Sequence, residues 1–161
     1  MNTIQYRPIG IIHTPYKRPA GTPIQPPTSE GVESDVEVFE NYTEGLTDLE
    51  GFSHIYLIYH FHLSRKFSLK VKPFLDDESH GLFATRAPSR PNAIGLSIVE
   101  LIGIEKNILR VKNIDVLDGT PLLDIKPYVP GFDIRKVHRI GWMEKKIKNL
   151  DKTQDDGRFT A

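Results

Sequence analysis

The stretch His54-Ile55-Tyr56-Leu57-Ile58-Tyr59-His60-Phe61-His62-Leu63 decides the fold class. It contains no glycine, proline or formal charge, and it is rich in the aromatic and β-branched residues that suit a pleated backbone. Side chains along a strand alternate between two faces. Ile55, Leu57, Tyr59, Phe61 and Leu63 therefore share one face, expected to pack a core, and His54, Tyr56, Ile58, His60 and His62 share the other.

Short runs of the same character lie on both sides, bounded by Gly, Pro, Asn and Asp. The predicted strands are Ile4–His13, Val32–Phe39, His54–Leu63, Lys70–Phe74, Gly81–Thr85, Gly95–Lys106, Ile108–Ile114 and Leu122–Pro127. Glu105-Lys106-Asn107 reads as a hairpin turn, after which Leu109 and Val111 alternate with Arg110 and Lys112 as a half-buried strand should. Asn41–Leu49 reads as a short helix capped by Asn41 or Thr43. Thr14–Pro27 carries five of the 12 prolines and reads as a long functional loop. The fold class is all-β, sandwich or barrel, in one domain over residues 1–161 with a frayed tail.

At 161 residues, 39% apolar and 26% charged, the chain has the balance of a soluble globular domain. It has no cysteine, which excludes disulfides, thiolate metal sites and a cysteine nucleophile. The start shows no signal-peptide pattern. Gly51–Ser64, the uncharged stretch around the apolar centre, is 14 residues long and too short to span a bilayer. The expectation is a cytoplasmic protein with no membrane partner. Net charge is zero but segregated: eight acids and no Lys or Arg lie between Glu30 and Glu50, and six bases against Glu144 alone lie between Arg135 and Asn149. Such segregation admits a local anionic partner, or two solvated faces of opposite sign.

Three constellations could carry chemistry. His60-x-His62 places two imidazoles on one side of a strand, and a catalytic zinc would need a third ligand from His54, His80 or His13. The alternative is a set of ordinary polar-face histidines, and the absence of a carboxylate at ligand-like spacing favours it. Thr85-Arg86-Ala87-Pro88-Ser89-Arg90-Pro91-Asn92 holds two arginines in a proline-stiffened turn, suited to a carboxylate, phosphate or base edge. It reads equally as a structural loop whose arginines pair with the Glu30–Glu50 acids. Asp115-Val116-Leu117-Asp118-Gly119-Thr120 begins a patch that continues through Asp124 and Lys126 to Tyr128, with Asp118-Gly119 as a tight turn. Backbone groups of Leu117–Thr120 could read an adenine edge or a ribose. No G-x-G-x-x-G, Walker A loop or G-x-S-x-G occurs, so a Rossmann enzyme or serine hydrolase is disfavoured.

Taken together, these patches resemble the TsaA-like family, whose characterised members are TrmO-type tRNA methyltransferases. The resemblance rests on Ile9-Gly10-Ile11-Ile12, Gln25-Pro26, Gly51-Phe52-Ser53-His54, Phe83-Ala84-Thr85-Arg86, Arg90-Pro91-Asn92-x-Ile94-Gly95 and Leu117–Tyr128, in order, over a core of about residues 4–145. It implies a compact β-barrel homodimer with a few short helices that binds S-adenosylmethionine without a Rossmann fold; no metal is expected. It further implies methyl transfer to N6 of threonylcarbamoyladenosine in the tRNA anticodon loop. Carried over by motif, the cofactor contacts are Gln25, Pro26, Pro27, Phe61, His62, Arg86, Leu96, Leu117, Asp118, Gly119 and Thr120. Substrate contacts fall to Arg90, Asn92, Lys126, Lys145 and Lys146. Longer bacterial members carry a further C-terminal domain, for which the basic run Arg135–Lys148 is a candidate replacement, and Ala87 stands where serine is frequent.

In that scheme the target nitrogen carries a carbamoyl group and needs a proton acceptor within hydrogen-bond reach. Asp115, Asp124, Tyr128 and His62 are the candidates. The rival readings are a binding module that holds S-adenosylmethionine or RNA without turnover, and a zinc hydrolase built on His60 and His62.

Overall fold

The computed structural model describes residues 3–18 and 31–147. Six strands close into an antiparallel barrel: β1 (Gly10–His13), β2 (Glu33–Val38), β3 (His54–His60), β6 (Ile94–Glu105), β7 (Ile108–Lys112) and β8 (Thr120–Pro127), in the circular order β1-β2-β7-β6-β3-β8. Two short strands, β4 (Lys70–Val71) and β5 (His80–Gly81), pair as a separate ribbon. The barrel has no open edge for another strand to join.

Alternation packs the barrel. Ile12, Val36, Val38, Ile55, Leu57, Val99, Leu109, Val111 and Leu122 point inward and are at most 1% exposed. Such a narrow barrel is filled by side chains and has no channel. Gly10 allows β1 and β2 to approach, because a Cβ there would sit 2.0 Å from the Glu37 carbonyl oxygen. β6 pairs with β3 through Ile94–Glu100 and with β7 through Glu100–Glu105. A register shift between Leu101 and Gly103 leaves Ile102 as the extra residue, the bulge that turns one long strand from one neighbour to the other. Lys106, at φ 57°, lies in the predicted β6–β7 hairpin turn.

The all-β barrel agrees with expectation, and the differences are local. Only Gly10–His13 of the predicted Ile4–His13 strand finds ladder partners. Gly81–Thr85 becomes the end of β5 followed by a 3₁₀ turn, Leu82–Ala84. The Asn41–Leu49 helix is a 3₁₀ segment, Glu40–Leu46, without a side-chain cap; the Tyr42 N–H to Phe39 carbonyl bond starts it. Leu63 is 41% exposed instead of core, because β3 ends at His60 and Ser64 N–H turns back onto the Phe61 carbonyl.

Candidate functional site

Two hydroxyls interrupt the apolar interior near the Tyr59 end of β3. Gly95 makes room for the first: a Cβ at that position would lie 2.1 Å from the Tyr59 ring, so only glycine lets the ring cross β6. The buried Tyr59 hydroxyl sits 2.9 Å from Ser97 Oγ, and Ser97 donates to Asp115 Oδ1 at 2.5 Å. Since Ser97 spends its proton on the carboxylate, Tyr59 donates to Ser97, giving a relay Tyr59–Ser97–Asp115. Burial lifts the Asp115 carboxyl from its ordinary 3.8 to about 6, against the opposing effects of the Ser97 bond, its own backbone N–H and the Arg86 charge. Burial and then Asp115 raise the Tyr59 hydroxyl well above its ordinary value, with Ser97 and Arg86 acting the other way. Tyr16 is raised by burial and by the same carboxylate.

The twin-arginine loop and the aspartate-rich segment therefore meet: Arg86 acts electrostatically on both Asp115 and Tyr59. Phe61 packs edge-on against Tyr59, with centroids 5.3 Å apart at 87°. His62 beside it is lowered from 6.5, first by burial and then by His60, and is neutral at pH 7. Cation, carboxylate, hydroxyl relay and aromatic wall gather at one rim of the barrel.

Other expected site residues make contacts within the chain. Asp118 Oδ1 accepts from the Thr14 N–H at 3.0 Å and Oδ2 pairs with Lys17 Nζ at 2.7 Å. Lys17 first, then the Thr14 N–H and His13, hold this carboxyl below its ordinary value against burial. The N–H groups of Asp118 and Gly119 donate to the Tyr16 and Ile12 carbonyls, and the Thr120 hydroxyl closes onto the Leu117 carbonyl. The turn, with Gly119 at φ 75°, thus staples the foot of the proline loop, and these two N–H groups are not available to read an adenine edge. Gln25, Pro26 and Pro27 lie outside the described residues. Arg90 donates through Nη1 to the Thr85 and Ala87 carbonyls and lies 5.8 Å from the Phe83 ring centroid; it braces the loop. Three of the acids between Glu30 and Glu50 pair across the barrel: Asp35 with Arg110, Glu33 with Lys112, and Glu37 with His13.

The remaining candidates are dispersed. Leu96, 57% exposed, points outward from β6 beside Ile58, on the face opposite Ser97. Asn92 is exposed just before β6, and its carbonyl accepts the Ile94 N–H. Asp124 binds Lys126 at 2.8 Å on β8, opposite Ile58. Tyr128 packs edge-on against His54 and Tyr56 at the far end of β3, roughly 20 Å along the strand from Phe61. Lys145 is exposed, whereas Lys146 pairs with the nearly buried Asp76 at 3.1 Å. Among the described residues no three His, Asp or Glu side chains form a metal-holding group, so the His60–His62 pair finds no third ligand. His13, His54 and His80 are engaged by Glu37, Ser53 and Asp76.

Tyr59, Ser97 and Tyr16 were not expected at the site. The signal was present for two of them: a tyrosine and a serine occupy inward positions of β3 and β6, strands whose inward faces are otherwise apolar.

The fold and this rim define a small closed barrel with a charged, aromatic-walled site and no Rossmann unit. The chain belongs to the tRNA-methyltransferase O N-terminal domain family, which it matches over residues 11–134. It is 58% identical over 156 residues to a "probable S-adenosyl-L-methionine-binding protein" of Pyrococcus abyssi, covering 97% of this chain and 85% of that one. It is 36% identical over 133 residues to the mouse tRNA (adenine(37)-N6)-methyltransferase, covering 78% of this chain and 31% of the relative. The crystal structure of TrmO from Pseudomonas aeruginosa superposes with a TM-score of 0.73 at 38% identity, covering 88% of this chain and 63% of that chain. The chain thus spans less than a third of the mouse enzyme's length.

Proposed function

We propose that this protein transfers a methyl group from S-adenosylmethionine to N6 of adenine 37 of tRNA, where the base carries a threonylcarbamoyl group. One observation carries the reading: Asp115 is bonded into the Tyr59–Ser97 relay at a rim where the charge of Arg86, from a segment far apart in sequence, reaches it. The donor set fits the cofactor. Arg86 offers a cation to its carboxylate, and Phe61 offers an aromatic wall to its positive sulfur, a contact worth about 0.5–2 kcal/mol.

S-adenosylmethionine, when bound, supplies an already activated methyl group; alignment is the protein's main contribution and can supply about 7–11 kcal/mol. Asp115 is the proton acceptor for N6. At pH 7 it is mostly ionised, and a carboxyl at about 6 is a stronger base than a free aspartate. The Tyr59–Ser97 relay holds the carboxylate through Oδ1. Phe83, 75% exposed with Arg90 near its ring, offers a stacking face to an unpaired base of the anticodon loop. No metal takes part.

The active species is a homodimer acting in the cytoplasm. Ile94, Leu96 and Ile98 are 39–57% exposed in one row along β6, next to Tyr56 and Ile58 of β3. A contiguous apolar sheet face of this kind is suited to a second copy.

The test is incubation with labelled S-adenosylmethionine and tRNA with or without the threonylcarbamoyl group, followed by digestion to nucleosides. Methylated threonylcarbamoyladenosine, formed only from the modified tRNA, supports the proposal. Cofactor binding without product would make the protein a binding module.

A further inference from the structure

Trp142 and Lys146 lie outside the family-matched residues 11–134, yet both reach the twin-arginine loop or its support. The Trp142 ring stacks on His80, 4.4 Å between centroids at 17°, and its Nε1–H donates to the Ala84 carbonyl at 2.8 Å. His80 binds Asp76 Oδ2 at 3.2 Å, while Asp76 Oδ1 accepts from Lys146 at 3.1 Å and from the N–H groups of Asp77 and Glu78. The Asp76 side chain is only 7% exposed, so this ion pair is partly withdrawn from water, where such pairs matter more than on a surface.

We propose that Trp142 and Lys146 are positioning residues that clamp the Leu82–Ala84 turn and so set where Arg86 points. Ala84 is two residues before Arg86, and the intervening Thr85 is locked: its N–H and hydroxyl both bond the Leu82 carbonyl, and its own carbonyl takes Arg90. A shift at Ala84 therefore passes to Arg86 through a stiff segment. Residues 134–140 are exposed throughout, and the Trp142 and Lys146 contacts dock the segment after them to the body. Lys146 thus serves the loop and not the RNA. The consequence for cofactor affinity rests on the function proposed above.

The experiment uses the full chain with Trp142→Ala, Trp142→Phe, Lys146→Met and Lys146→Arg, read by amide hydrogen exchange and by calorimetry with S-adenosylmethionine. Exchange at the Thr85 and Ala87 amides should speed about tenfold in Trp142→Ala, with the Leu57 and Val99 amides of the barrel unchanged. Cofactor affinity should fall by roughly tenfold in Trp142→Ala and Lys146→Met and return in Lys146→Arg. Trp142→Phe keeps the stack but loses the N–H donor and should fall between wild type and Trp142→Ala. In an Arg86→Lys background, Trp142→Ala should cost no further affinity, because it acts through Arg86. Unchanged loop exchange, or a full additional loss in the Arg86→Lys background, overturns the clamp. Failure of the wild type to bind cofactor overturns the functional proposal instead, and the exchange measurement still decides the clamp.

Discussion

Asp115→Asn should make the protein more stable and at the same time inactive. The native carboxyl titrates at about 6 rather than 3.8. Between those values the folded chain holds its proton more tightly than the unfolded chain, so stability is greatest below about pH 4 and falls as pH rises through 6. The loss above pH 7 is about 3 kcal/mol. Asparagine is uncharged at every pH, and its carbonyl oxygen still accepts from Ser97. At pH 8 the variant should therefore unfold about 6–12 °C above wild type, for a chain of this size. At pH 4 the two should coincide. Thermal unfolding followed by far-ultraviolet circular dichroism at both pH values measures the gap, and the methylated-nucleoside assay on the same samples should show at least a hundredfold lower rate, within the range of about 10²–10⁴ for a lost acid–base group. A stability gap that is the same at pH 4 and pH 8, or full activity in the variant, would refute the assignment of Asp115 as a strained, functional carboxylate.

Other expectations follow from single contacts. Gly95→Ala drives a methyl group into the Tyr59 ring, and overpacking of this kind should cost about 1–3 kcal/mol in urea unfolding. Phe83→Ala should weaken tRNA binding by the ~1–3 kcal/mol of one stacked base while leaving cofactor affinity alone, measured by filter binding and calorimetry. Leu96→Asp with Ile98→Asp, both on exposed outer positions of β6, should yield a monomer by light scattering without loss of the barrel's circular dichroism. Wild-type activity should drop as pH falls below about 6, where Asp115 takes up its proton, and the pH–rate profile of kcat/KM reports it.

Much of the architecture was legible because a strand's period is two. The alternation in His54–His60 placed Ile55, Leu57 and Tyr59 inward, and the structure buries all three. What the period could not supply was pairing: Phe61 and Leu63 continue the pattern in sequence, but the chain turns at Ser64 and the ladder stops. At the site, the twin-arginine loop and the aspartate-rich patch each stood out by their local chemistry, the cofactor role of Arg86 came from the family resemblance, Asp115 was one of four candidate acceptors, and only the folded barrel brings the two segments together. Arg90 looked equivalent to Arg86 in sequence. Its role as a brace depends on the Thr85 and Ala87 carbonyls just after the 3₁₀ turn, a backbone detail no side-chain pattern encodes. Lys145 and Lys146 read as one basic run, yet the chain buries Asp76 beside the second alone.

The most direct measurement is calorimetric titration of the wild-type protein and of Arg86→Ala with S-adenosylmethionine. Saturable binding to the wild type, lost or strongly weakened in a variant that keeps its barrel spectrum, is the expected result. No heat from the wild type, or undiminished affinity after the guanidinium is removed, would contradict the assignment of this rim as the methyl donor's seat.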